Sequence, residues 1–185
     1  MNTLEDLRKL AKLHLCEDCF QKYVSLIEPT VSYWYYMPLG DWKQVESQIT
    51  AIVMKVKGVF KDNMFTISYD SNDGEVSDCV ANVEMFKKIG KWRFIDKINY
   101  LRKERILQDS SYRLLDKARE LRNKIHPLSG FSEQDYALFR MAKAIADKLW
   151  SATMIDQKEE TATQLKFNAE RLAKQYLKLL FKEGE

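Results

Sequence analysis

The chain is 185 residues and 21.8 kDa, with 45% hydrophobic and 31% charged residues, enough for one well-filled core. Thirty Lys and Arg against 27 Asp and Glu leave a net charge of only +3, which excludes a general electrostatic grip on nucleic acid and leaves room for a local basic patch. Charges interrupt every apolar stretch short of the roughly 18 residues of a membrane span, and Glu5 and Asp6 occupy the first turns, so a cytoplasmic, non-membrane protein is the expectation.

Leu4, Leu7, Leu10, Ala11 and Leu15 recur at helical spacing in a first segment that ends before Pro29. His14 lies on its apolar face and reads as a partly buried structural histidine. Cys16 and Cys19 form a C-x-x-C in the middle of this helix, with no second pair at zinc-finger spacing and Cys79 far away. They read as ordinary thiols of a reducing compartment, and no metal or cofactor is expected. Asp41 is a candidate N-cap for a second helix carrying Val45, Ile49, Ile52, Val53 and Val56 up to Gly58. Between the two, residues 31–38 hold the cluster Tyr33, Trp34, Tyr35 and Tyr36, either extended or continuing the first helix. Its rings suit core or dimer packing, or stacking on bases.

Phe65, Ile67 and Tyr69 then alternate with polar residues, and Ser71-Asn72-Asp73-Gly74 has turn chemistry. A small β-hairpin or a surface loop over about 62–82 follows. Helical spacing returns in one or two helices over 83–107, broken near Gly90, with a basic patch at Arg102, Lys103 and Arg105. Ser110 or Ser111 can cap the next helix, roughly 111–125, whose stripe is Leu114, Ala118, Leu121 and Ile125. Further on, Ser132 with Asp135 makes a helix start, which Phe131 can staple onto Tyr136. Leu138, Met141, Ile145 and Leu149 carry that helix to about Met154, and a last one runs from about Glu159 to Phe181. The expectation is one mainly α domain over 1–185, a bundle whose short connections make neighbours antiparallel.

The most informative segment is Leu121-Arg122-Asn123-Lys124-Ile125-His126-Pro127. Arg122 and His126 are spaced i, i+4, so on a helix they leave one flank and can converge on a phosphate. At about 100° per residue, Arg119, Arg122 and His126 fall within roughly 60° of one another along the edge of the apolar stripe. A histidine titrates near neutrality and can move a proton, while an arginine offers a planar fork of donors to phosphate oxygens. The same residues also suit a purely structural helix end, where cations complement the dipole.

From about Phe86 through this segment, the helix order and the Arg-Asn pair followed by a histidine near a helix end resemble the HEPN superfamily (higher eukaryotes and prokaryotes nucleotide-binding). Arg122 and His126 leave three residues between them, fewer than the usual four to six, whereas Arg119 and His126 leave six. The resemblance implies a HEPN-like helical bundle and a homodimer whose paired motifs bind RNA or cleave it without metal, through the ribose 2′-hydroxyl. It implies Arg122, His126 and Asn123 as catalytic residues and Arg119 and Lys124 as substrate-binding ones. By the same resemblance the setting is a defence, toxin–antitoxin or stress system, with a protein partner or antitoxin. The alternative is a non-catalytic HEPN-like interaction or regulatory module that dimerises through the same helix.

Overall fold

In the computed structural model, which describes residues 8–9, 12–22, 24, 28–60, 81–124 and 132–182 (28–38 and 133 by backbone alone), helix accounts for most of the chain. Among its helices are α1 (Glu17–Lys22), α2 (Glu28–Val56), α3 (Val83–Gly90), α4 (Phe94–Lys103), α5 (Asp109–Lys124), α6 (Glu133–Met154) and α7 (Glu159–Phe181). The mainly α expectation therefore holds. The hairpin or loop expected at 62–82 falls almost wholly on 61–80, outside the described residues. The Val59 carbonyl accepts the amides of both Ala81 (2.8 Å) and Asn82 (3.2 Å), so that excursion leaves and returns at one point.

Three local expectations in the first third are corrected. Asp41 caps nothing: α2 is one 29-residue helix that runs through Pro38 and Asp41, about 43 Å long. Pro29 sits in its first turn, where a missing N–H costs nothing, whereas Pro38 forfeits one bond to the carbonyl of Trp34. Continuing an existing helix is cheaper than nucleating another, and the buried stripe downstream holds this one in place. Nor is Cys16 inside a helix. The chain breaks at Leu15 and Cys16, and α1 starts at Glu17, with Glu17 and Asp18 favouring its N-terminal turn. His14 is exposed rather than buried, because the neighbouring Leu13 and Leu15 also stay in solvent, 77% and 39% exposed.

The core is assembled by a circuit of helices. α6 packs on α2 and on α7, α7 on α5, α5 on α4, and α4 back on α2. Trp42, Val45, Ile49, Ile52 and Val53 from α2 meet Leu138, Phe139, Ala142, Ile145, Ala146 and Leu149 from α6. Each fully buried large side chain here contributes about 1.5–3 kcal/mol. Trp42 anchors the seam, its ring 4.7 Å from Phe94 and 5.9 Å from Phe139, both tilted. Ala169 and Ala173 of α7 and Ala142 and Ala146 of α6 are wholly buried, small enough to let helices approach closely.

Side-chain bonds fix the register. Gln48 Nε2 donates to Asp147 Oδ1 at 2.7 Å and Lys55 Nζ to the Met154 carbonyl at 3.4 Å, so α2 and α6 run parallel. α6 and α7, joined by a short link, are antiparallel as expected: Gln134 at the start of one donates to the Leu180 carbonyl at the end of the other (2.8 Å). α5 runs parallel to α7. Its first amides, of Ser110 and Ser111, donate to Glu170 Oε1 and Oε2 (2.7 and 2.8 Å), while Lys117 lies 4.1 Å from the ring centre of Phe181. Thus Glu170, a residue of another helix, caps α5, and neither Ser110 nor Ser111 does. Lys57 sits over both Trp92 (5.4 Å) and Tyr100 (4.1 Å), fastening the α3–α4 corner to the end of α2.

Candidate functional site

The last turn of α5 carries the residues singled out in the sequence. The helix buries Leu114, Leu115 and Ala118 completely and Leu121 partly, so its opposite face must point outward. Asn123 and Lys124 lie on that outward face, whereas Arg122, four residues beyond Ala118 and seven beyond Leu115, continues the buried stripe past Ala118 into solvent; all three are exposed. Among the described residues no ion pair engages Arg122 or Lys124. His126, the proton-transfer candidate, lies outside the described residues, as do Ile125, Pro127 and Phe131.

Arg119 is differently placed. It is half-buried, and its Nε and Nη2 both reach Asp116 Oδ1 at 2.7 Å, with Glu120 Oε1 a further 3.7 Å from Nη2. Its charge is largely balanced on its own helix. Among the described residues Arg122 and Lys124 are the cations of this turn without an ion-pair partner, and Arg119 must exchange Asp116 for a phosphate to join them.

The parallel run of α5 and α7 brings further cations to this end of the bundle. Lys117 lies against Phe181, and Lys178 and the exposed Lys182 close α7. Arg122 and Lys124 stand roughly 8–10 Å further along α5 than Lys117. The start of α6 shares this end, but its capping box uses the free groups locally: Ser132 Oγ accepts from the Asp135 amide (3.1 Å) and Asp135 Oδ2 from the Ser132 amide (2.9 Å). Carried two turns back from Trp42, the α2–α6 register sets the backbone of residues 33–36 level with this same end. The side chains of that aromatic cluster lie outside the described residues.

Two other features are too far away to join the site. Arg102 is paired with Asp109 at 2.7 Å and lies 4.7 Å from the Tyr112 ring centre. That places it at the start of α5, about 24 Å from its end. An open groove of about 630 Å³ lined by Glu159, Glu160, Thr163, Gln164 and Phe167 sits at the beginning of α7, at the other end of that helix from Lys178.

Inside the bundle, sequence reasoning passed over Lys97. It is 8% exposed and its Nζ donates to Thr50 Oγ1 at 2.9 Å, while Thr50 itself donates to the Glu46 carbonyl at 2.6 Å. Burial lowers its pKa, with the Glu46 carboxylate pulling the other way. Its place in the apolar stripe with Phe94, Ile98 and Leu101 is the sequence signal: position 97 falls on the buried side of α4. Comparison with protein-family models, with curated proteins and with solved structures gives no match to the chain.

Proposed function

We propose that the chain is a HEPN-like RNA-binding protein, and a metal-independent endoribonuclease where two copies bring their motifs together. The observation that carries this reading is Arg122: an exposed guanidinium, uncompensated among the described residues, on the last turn of α5, where the helix's buried stripe runs out past Ala118 into solvent. Asn123 and Lys124 beside it, and Lys178 and Lys182 at the same end, add donors and charge for a phosphodiester backbone. Arg122 would neutralise the non-bridging oxygens where negative charge grows, and His126 would carry a proton to or from the ribose 2′-hydroxyl or the leaving oxygen. Asn123 would orient the phosphate or the imidazole, with Arg119 joining after release from Asp116. The proposed setting is cytoplasmic, as a homodimeric defence or toxin effector held in check by a protein partner.

The test is cleavage of single-stranded RNA by the purified protein in excess EDTA. His126→Ala is expected to abolish cutting with the fold and the dimer intact; undiminished cleavage by that variant sinks the nuclease reading. A second reading is favoured by Leu179, 73% exposed at the same end: a non-catalytic module that docks a second copy through this surface. In that case Leu179→Asp dissociates the dimer seen by sedimentation, and the wild type neither binds nor cuts RNA.

A further inference from the structure

Cys16 and Cys19 are both exposed free thiols, and they are set by one turn of backbone. The Phe20 amide donates to the Cys16 carbonyl at 2.8 Å, locking Cys16 onto the first turn of α1, and Gln21 Nε2 donates to Glu17 Oε1 at 3.2 Å across the same turn. Helical geometry puts Cα atoms three residues apart at about 5 Å, inside the roughly 4.4–6.8 Å range that a disulfide spans. Spaced i, i+3, the two side chains leave the same side of this turn. Interaction with the neighbouring Cys19 thiol lowers Cys16 below the usual cysteine value, and the Cys16 sulfur raises Cys19 above it. Among the described residues no third His, Cys, Asp or Glu joins them in a group that could hold a metal ion.

From this pairing we infer that Cys16 and Cys19 form a vicinal dithiol that undergoes thiol–disulfide exchange with small-molecule disulfides, closing to an intrachain disulfide. The Cys16 thiolate, stabilised by the neighbouring thiol, attacks one sulfur of the disulfide RSSR. A Cys16–SR mixed disulfide forms and RS⁻ leaves. Cys19 then gives up its proton and attacks the Cys16 sulfur; the Cys16–Cys19 bond forms and the second RS⁻ leaves. The two protons of the protein thiols end on the two released thiols, so the protein is oxidised by two electrons and RSSR is reduced to 2 RSH. Solvent exposure of both sulfurs gives the small molecule access, and the assignment is independent of the RNA reading.

The experiment equilibrates the full chain with glutathione buffers of stepped thiol-to-disulfide ratio and maps the products by peptide mass spectrometry. The expected product is a Cys16–Cys19 bond. Cys19→Ser is expected to stop at a glutathione adduct on Cys16, and Cys16→Ser to slow the first exchange several-fold. Iodoacetamide is expected to label Cys16 several-fold faster than Cys19 at neutral pH. Glutathione on both cysteines with no bond between them, a bond from either to Cys79, or unchanged thiols in the most oxidising buffer overturns the assignment. Both residues are exposed, so the serine variants keep the wild-type circular dichroism spectrum.

Discussion

Lys97 Nζ donates to Thr50 Oγ1 at 2.9 Å across the α4–α2 contact, placing an ammonium group where the surrounding side chains are apolar. Burial lowers its pKa from the usual lysine value of about 10.4. Between the lowered folded value and the unfolded one, the unfolded chain binds more protons, so this residue makes stability rise with pH over that window. Its burial penalty is therefore fully present at neutral pH. Lys97→Met leaves Thr50 bonded to the Glu46 carbonyl and is expected to raise stability by about 1 kcal/mol at neutral pH. The gain should shrink toward about pH 10; urea denaturation at both pH values checks it, and a constant difference contradicts it.

Glu170 supplies both caps to the first amides of α5. Glu170→Ala is expected to cost about 2 kcal/mol, as two bonds to an ionised acceptor are lost. Glu170→Gln, which keeps one carbonyl acceptor, should lose about half of that. Urea denaturation gives the totals, and faster amide exchange at Ser110 and Ser111 locates the effect.

Two glycines of one stretch respond in opposite directions. Gly40 lies within α2 with nothing within 4 Å of an added Cβ, so Gly40→Ala is expected to stabilise by about 0.5–1 kcal/mol. Gly58, just past the helix at φ +67°, closes the turn with its amide on the Lys55 carbonyl (2.9 Å), and Gly58→Ala should cost about 1 kcal/mol. Arg105 has φ 59° without being glycine, and Arg105→Gly should gain up to about 1 kcal/mol. Thermal melts of the three variants read the signs directly.

Arg122 is exposed, so Arg122→Gln is expected to change stability by less than about 0.5 kcal/mol. If RNA binds as proposed, affinity should fall about tenfold and the log–log salt slope flatten by about one unit. Arg102→Gln, at the far end of α5, is the control and should leave both unchanged. Filter binding at several salt concentrations makes the comparison; equal losses in the two variants count against a localised site.

Where the determinants are local, the sequence can be read closely. The Ser132–Asp135 capping box and the limits of α6 and α7 follow from side chains within a turn or two of each other. Where they are distant, local signals mislead. Pro38 and Asp41 argue for a boundary that the α2–α6 seam overrides, and no pattern near Ser110 points to a carboxylate sixty residues away. The candidate site is readable as residue types on one turn, including Arg119 at the stripe's edge. That Arg119 is held by Asp116 while Arg122 is open to solvent depends on side-chain placement, which helical periodicity does not specify.

The bond between Gln48 and Asp147 joins residues 99 apart in sequence. During synthesis at about 5–20 residues per second, α2 therefore leaves the ribosome roughly 5–20 s before the helix that covers its apolar stripe. Through that interval Trp42, Ile49 and Ile52 have no native partner on α6, so the nascent chain is most prone to aggregation before residue 147 emerges. Slowing translation after α2 would lengthen that exposure, and a chaperone that binds apolar helical segments would have its natural target there.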